Sequence, residues 1–155
     1  IDNSLNKYTK YSKVTNKQKV LFEDGALQMY VNLNTSSQDL DNTSSNQQSI
    51  VSIFNSGITS ILFTADSDAL MLKDIIMKNN LFVVPYQNQI IVVPHHGSKS
   101  GLDLGLLNII KPAYCVLSVG KNSYGHPNPM VLDLISSVKC KLLSTYGNKY
   151  VKVAL

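Results

Sequence analysis

The sequence predicts an α/β layered domain, with helices packed against a sheet. Three observations predict it. Short β-branched runs alternate with stretches of helical periodicity, in the order β-α-β-α-β-α-β. Ile90 to Pro94 and Ala113 to Val119 are continuously apolar, as strands buried on both faces are. A chain of 155 residues, 44% of them hydrophobic, has the apolar content of one globular domain.

Residues 1–18 read as a basic polar arm, and 19–155 as the domain proper. Lys7, Lys10, Lys13, Lys17 and Lys19 stand against Asp2 in the first nineteen residues and account for the whole formal charge of +4. All fourteen basic residues are lysine. Lysine offers phosphate a point charge without the planar fork of guanidinium, which argues against bidentate or sequence-specific reading of nucleic acid but leaves non-specific polyanion contact open. Tyr8 and Tyr11 among these lysines could stack on bases, although a solvated arm is the simpler reading.

Lys19 to Phe22 and Leu27 to Leu33 flank Glu23-Asp24-Gly25, a turn between two strands. The polar segment 34–49 reads as a surface loop. Ile50 to Asn55 and Ser60 to Thr64 form a hairpin about Ser56-Gly57. From Ser67 as N-cap, Ala69, Leu70, Leu72, Ile75 and Ile76 recur at helical spacing until Asn79-Asn80. Gln89 to Val93 is a buried strand ending at Pro94, and a helix follows over 102–110. A strand over 113–119, a helix over 129–138 and two short strands, 141–144 and 150–153, complete the chain.

No apolar run approaches the roughly 20 residues that span a bilayer. The chain opens on Ile1 and a polar stretch, which leads us to expect further sequence upstream. Cys115 and Cys140 lie outside any C-x-x-C or Cys/His cluster, so neither a bridge nor a redox compartment follows.

The chemistry concentrates at strand ends. His95-His96 follow one buried strand, His126 lies in the glycine-containing turn after the next, and Asp66 and Asp68 stand where a strand gives way to a helix. If those strands are neighbours, Asp66, His95, His96 and His126 converge on one sheet edge. Imidazole with carboxylate is the donor set of zinc and manganese sites. An aspartate just before a helix is ordinarily an N-cap, and His126 before Pro127 can be plain turn chemistry. Two adjacent imidazoles at the mouth of a buried strand have little packing value, so His95-His96 point to metal binding or catalysis. Gly97, Gly101 and Gly105 read as loop and cap glycines. Gly120-Lys121 lacks the rest of a phosphate-binding loop, and neither Ser98 nor Ser118 sits in a G-x-S-x-G elbow.

Five segments carry a resemblance. Asn46-Gln47-Gln48-Ser49-Ile50-Val51, Leu62-Phe63-Thr64-Ala65-Asp66, Pro94-His95-His96-Gly97-Ser98-Lys99-Ser100, Ser118-Val119-Gly120 and Tyr124-Gly125-His126-Pro127 occur in this order with fitting gaps. Together they resemble the metallo-β-lactamase-fold hydrolases, in particular the metallo-hydrolase domain of ComEC-type DNA-uptake (competence) proteins, from about Phe22 to the C-terminus. The resemblance implies the C-terminal half of a four-layer αββα sandwich.

It implies a metal-dependent hydrolase, a phosphodiesterase or nuclease acting on DNA or another phosphodiester, with two zinc or manganese ions in the complete domain. Asp66 matches the bridging aspartate of the family's T-G-D motif, and His95 the metal-binding histidine, with His96 the alternative ligand. Asp66, His96 and His126 are the catalytic candidates. His126 would contact the phosphate or protonate the leaving group, and Ser98 and Lys99 would border the same pocket. Ala65 replaces the glycine of T-G-D, which is mild if its φ is ordinary.

The family's H-x-H-x-D-H motif does not occur in this sequence. The rest of the site is therefore expected from upstream sequence or another chain, and an exposed sheet edge could pair with a second copy. Such a domain occurs either as a cytoplasmic stand-alone protein or as the extracytoplasmic part of a membrane protein. The competing expectations are a non-catalytic module that touches nucleic acid or a protein through the lysine arm, and a hydrolase of a neutral ester, lactam or thioester.

Overall fold

The computed structural model describes residues 19–23, 27–31, 46, 49–82, 86–147 and 150–153. The basic arm with Tyr8 and Tyr11, the turn at Asp24-Gly25 and most of the polar loop 34–49 lie outside the described residues. The fold is α/β. Seven strands form one sheet in chain order: β1 (Lys19–Glu23), β2 (Leu27–Val31), β3 (Ile50–Ser56), β4 (Thr59–Phe63), β5 (Asn88–Val92), β6 (Tyr114–Leu117) and β7 (Lys141–Ser144). The strands β1 to β4 pair antiparallel, and β4 to β7 pair parallel.

Each parallel step is made by a crossover helix: α1 (Ala69–Lys78), α2 (Leu104–Ile110) and α3 (Pro129–Ser137). Successive crossovers advance the same way across the sheet, so right-handed connections put all three helices on one face. The core agrees. Met71, Leu72, Ile75, Leu106, Leu107, Ile110, Val131 and Ile135 are buried against Tyr30, Val51, Ile53, Leu62, Ile91, Cys115 and Leu117, which share one face by register.

The alternate residues lie on the opposite face, and toward its centre most of them are apolar too. Ile50, Phe54 and Phe63 are exposed there at 45%, 37% and 43%, while Met29, Ile61, Val92 and Val116 are half-buried. A parallel sheet ordinarily has both faces covered.

The structure departs from the sequence expectations in three places and adds a bridge that the sequence left open. The hairpin turns on Gly57-Ile58, because Ser56 and Thr59 form its closing pair. The α1 N-cap is Asp68, whose carboxylate accepts from Met71 N at 2.7 Å, and not Ser67. Residues 150–153 are irregular backbone and form no strand with β7, which pairs with β6 instead. Cys115 and Cys140 form a disulfide that ties β6 to the start of β7.

Candidate functional site

The parallel strands β4, β5 and β6 end at the same edge of the sheet, and the loops that follow them carry Asp66, His95, His96 and His126. Backbone bonds knit these loops together. His95 N donates to Ala65 O at 3.0 Å, Ala69 N to Ser100 O at 2.9 Å and Asn128 N to Gly97 O at 2.8 Å.

The turn Pro94–Gly97 is unusual. His95 and His96 have φ of 47° and 53°, and Gly97 follows at 83°. Left-handed backbone costs a side-chain-bearing residue roughly 1–2 kcal/mol, and such residues gather at functional sites. Gly97 is required twice over, since a Cβ there would also lie 2.8 Å from Pro127 Cβ. Ala65 also has a positive φ, 49°. The condition under which alanine was mild in place of glycine is therefore not met, and Ala65 sits in a conformation that glycine adopts freely.

His96 Nδ1 lies 2.7 Å from the Ser118 carbonyl oxygen. A carbonyl only accepts, so the ring proton is on Nδ1 and the Nε2 lone pair is free in the neutral ring. His96 Nε2 lies 3.8 Å from Asp66 Oδ1, and both side chains are about half exposed. Phe63, Ala65, Asp66, His96 and Ser118 border one cavity of about 320 Å³, on the apolar side of the sheet.

The neighbouring imidazole is occupied differently. Asn46 Nδ2 lies 3.3 Å from His95 Nδ1. With the amide N–H directed at Nδ1, the His95 proton sits on Nε2, where it can donate. The His95 ring meets the His126 ring edge-on, with centroids 5.4 Å apart and an interplanar angle of 69°. Sequence reasoning left Asn46 out of the site, although it opens the first of the five segments that carry the resemblance.

His126 lies in a loop closed by Asn122. The Asn122 amide donates to Gly120 O at 2.9 Å and His126 O at 2.7 Å, and its oxygen accepts from Tyr124 N and His126 N, each at 3.1 Å. His96, Val119, Lys121, Tyr124 and His126 border a second cavity, of about 240 Å³.

The structure does not bring Ser98 and Lys99 into either cavity. Lys99 borders a separate one with Asp68, Ser100 and Asp103, and Ser98 Oγ lies 3.4 Å from Ser100 Oγ. Asp68 is engaged as the α1 cap, which leaves Asp66 as the carboxylate of the site.

The chain is 32% identical over 107 residues to a protein named Competence protein ComA, from Neisseria gonorrhoeae. The match covers 67% of this chain. It spans 15% of the length of that protein. No protein-family model matches the chain, and no solved structure matches it significantly.

The donor set suits a metal at two positions. His96 Nε2 and Asp66 Oδ1 are near enough to share an ion, and the Ser118 carbonyl fixes the ring as outer-shell partners of ligating histidines do. Among the described residues there is no group of three or more His, Cys, Asp or Glu side chains able to hold a metal. Further ligands would have to come from elsewhere.

Proposed function

We propose that this domain is the C-terminal half of a metallo-β-lactamase-type sandwich that hydrolyses phosphodiesters, with nucleic acid handled during DNA uptake as its substrate. The observation that carries the proposal is the convergence of Asp66, His95, His96 and His126 from three adjacent loops, with His96 Nε2 turned to Asp66. The similarity to a competence protein supports the biological setting.

The apolar face opposite the helices supports the half-sandwich. Ile50, Phe54 and Phe63 are the side chains that a second sheet would cover. That sheet, together with the remaining ligands, would come from the rest of a longer protein.

In this reading Asp66 and His96 hold one side of a zinc or manganese site. A bound ion there supplies Lewis acidity and a nucleophile at neutral pH. His95 donates from Nε2 to a phosphate oxygen, and His126, beside it, protonates the leaving oxygen. Phe63 and Val92 give the cavity beside Asp66 and His96 an apolar wall, and a second sheet laid over it would shield that pair from water and strengthen its hold on an ion.

The test is hydrolysis of a model phosphodiester by the longest natural protein that contains this chain. Activity that a chelator abolishes and added zinc or manganese restores is expected. A folded, metal-loaded protein that is inert on phosphodiesters overturns the proposal and favours a non-catalytic module. Neutralising Lys7, Lys10 and Lys13 would then weaken nucleic-acid binding and flatten its salt dependence.

A further inference from the structure

The Tyr124 ring is 83% exposed, an unusual position for an aromatic side chain that the backbone holds firmly. Asn122 spends both polar ends of its amide closing the loop from Gly120 to His126, and one of those bonds goes to Tyr124 N. The ring therefore stands on a fixed support. It lies nearly parallel to the His126 imidazole, at 25° with centroids 6.2 Å apart, in an offset stack that leaves its other face open.

The adjoining cavity has two chemistries. Two imidazoles, His96 and His126, border it together with the apolar Val119, the Tyr124 ring and the cationic Lys121. Its volume of about 240 Å³ is below the roughly 300–1,000 Å³ of pockets that engulf a drug-sized ligand, and suits a single ring system. A flat apolar wall with an adjacent cation, a few ångströms from groups suited to a phosphate, matches a nucleotide: base on Tyr124, backbone anion beside Lys121.

We infer that Tyr124 is a base-stacking platform, and that with Lys121 it binds the nucleotide next to the phosphate handled at His95 and His126. The inference rests on the phosphodiesterase reading, since only a nucleic-acid substrate brings a base to that phosphate. A base stacks here only when its face is uncovered, so the subsite selects an unpaired nucleotide. Lys121 adds charge without sequence preference.

The experiment measures binding, not turnover, so that failure of the hydrolase reading leaves it interpretable. Fluorescence anisotropy of the longest natural protein that contains this chain, with chelator present so that nothing is cleaved, is followed with a labelled thymidine tetranucleotide and with an abasic tetramer of equal phosphate count, at one salt concentration. Tighter binding of the thymidine oligomer is expected. Tyr124→Ala should weaken that oligomer about 5- to 100-fold, the range that base–aromatic stacking covers, and leave the abasic one unchanged. Tyr124→Phe should retain the preference, and Lys121→Gln should weaken both oligomers alike. Equal affinity for the two oligomers, equal loss on both with Tyr124→Ala, or loss of the preference in Tyr124→Phe each overturns the inference. Chelator-sensitive hydrolysis of a phosphodiester without a base tests the underlying reading separately.

Discussion

Ser118 fixes the chemistry of His96: its carbonyl oxygen, 2.7 Å from Nδ1, accepts the ring N–H and turns the Nε2 lone pair toward Asp66. The two imidazoles of His95-His96 are adjacent in sequence yet meet different partners, Asn46 and Ser118, across consecutive left-handed residues.

That difference makes a prediction. In the longest natural protein containing this chain, Asp66→Ala and His96→Ala should each weaken metal binding by more than the roughly 10- to 100-fold typical of losing an outer-shell partner. His95→Ala should retain metal while impairing phosphodiester hydrolysis. Elemental analysis after dialysis decides it, and metal lost from His95→Ala but kept by His96→Ala would reverse the assignment.

A Cβ added at Gly97 would lie 2.8 Å from Pro127 Cβ, and the residue carries a positive φ. Gly97→Ala should therefore cost about 2–4 kcal/mol, the left-handed penalty plus overpacking. Gly125 also has a positive φ, but a Cβ there meets nothing within 4 Å. Gly125→Ala should lose only the backbone part, about 1 kcal/mol. Urea midpoints of the two variants test the contrast, and equal losses would remove the contact with Pro127 from the argument.

Much of this architecture was legible in the sequence. The run Gln89 to Val93 announced a central strand, and the periodicity of Leu72, Ile75 and Ile76 announced α1, because burial on a sheet imposes those patterns. The convergence of Asp66, His95, His96 and His126 followed from strand ends once the strands proved to be parallel neighbours. Pattern alone failed where a partner decides the outcome. Tyr150 to Val153 alternates like a strand, but its backbone joins no ladder. Leu70 fits the helical spacing of α1 and is nonetheless exposed. The positive φ of Ala65 and the contact of Asn46 with His95 depend on the meeting of distant loops, which no local pattern encodes.

The bridge between Cys115 and Cys140 was equally invisible, since residues 25 apart pair only through the parallel register of β6 and β7. Closing a loop of that length removes chain entropy from the unfolded state worth about 3 kcal/mol. The double variant Cys115→Ala with Cys140→Ala should lose roughly that amount in urea unfolding. Reductant should shift the midpoint of the natural chain and leave the variant's unchanged; a natural chain insensitive to reductant after full unfolding and refolding would mean that the bridge contributes nothing.

Asp103 joins two helices at once. Oδ1 caps α2 through Leu106 N at 2.7 Å, and Oδ2 pairs with Lys73 Nζ of α1, also at 2.7 Å. Burial opposes its ionisation, but the Lys73 hydrogen bond, the Leu106 N–H, the Lys73 charge and the Gly105 N–H outweigh it and hold the carboxyl below its ordinary range. Folding lowers this pKa, so the group's contribution to stability is complete above the ordinary value of 3.8 and is lost as the pH falls through the folded value. Asp103→Asn isolates the charge, because asparagine caps a helix as well as aspartate does. The pair is partly solvated, which limits the difference from the natural chain to about 1 kcal/mol or less near neutral pH. That difference should fade as the pH falls below the carboxylate range. A difference that persists undiminished in acid would assign the loss to packing or the cap, and not to the ion pair with Lys73.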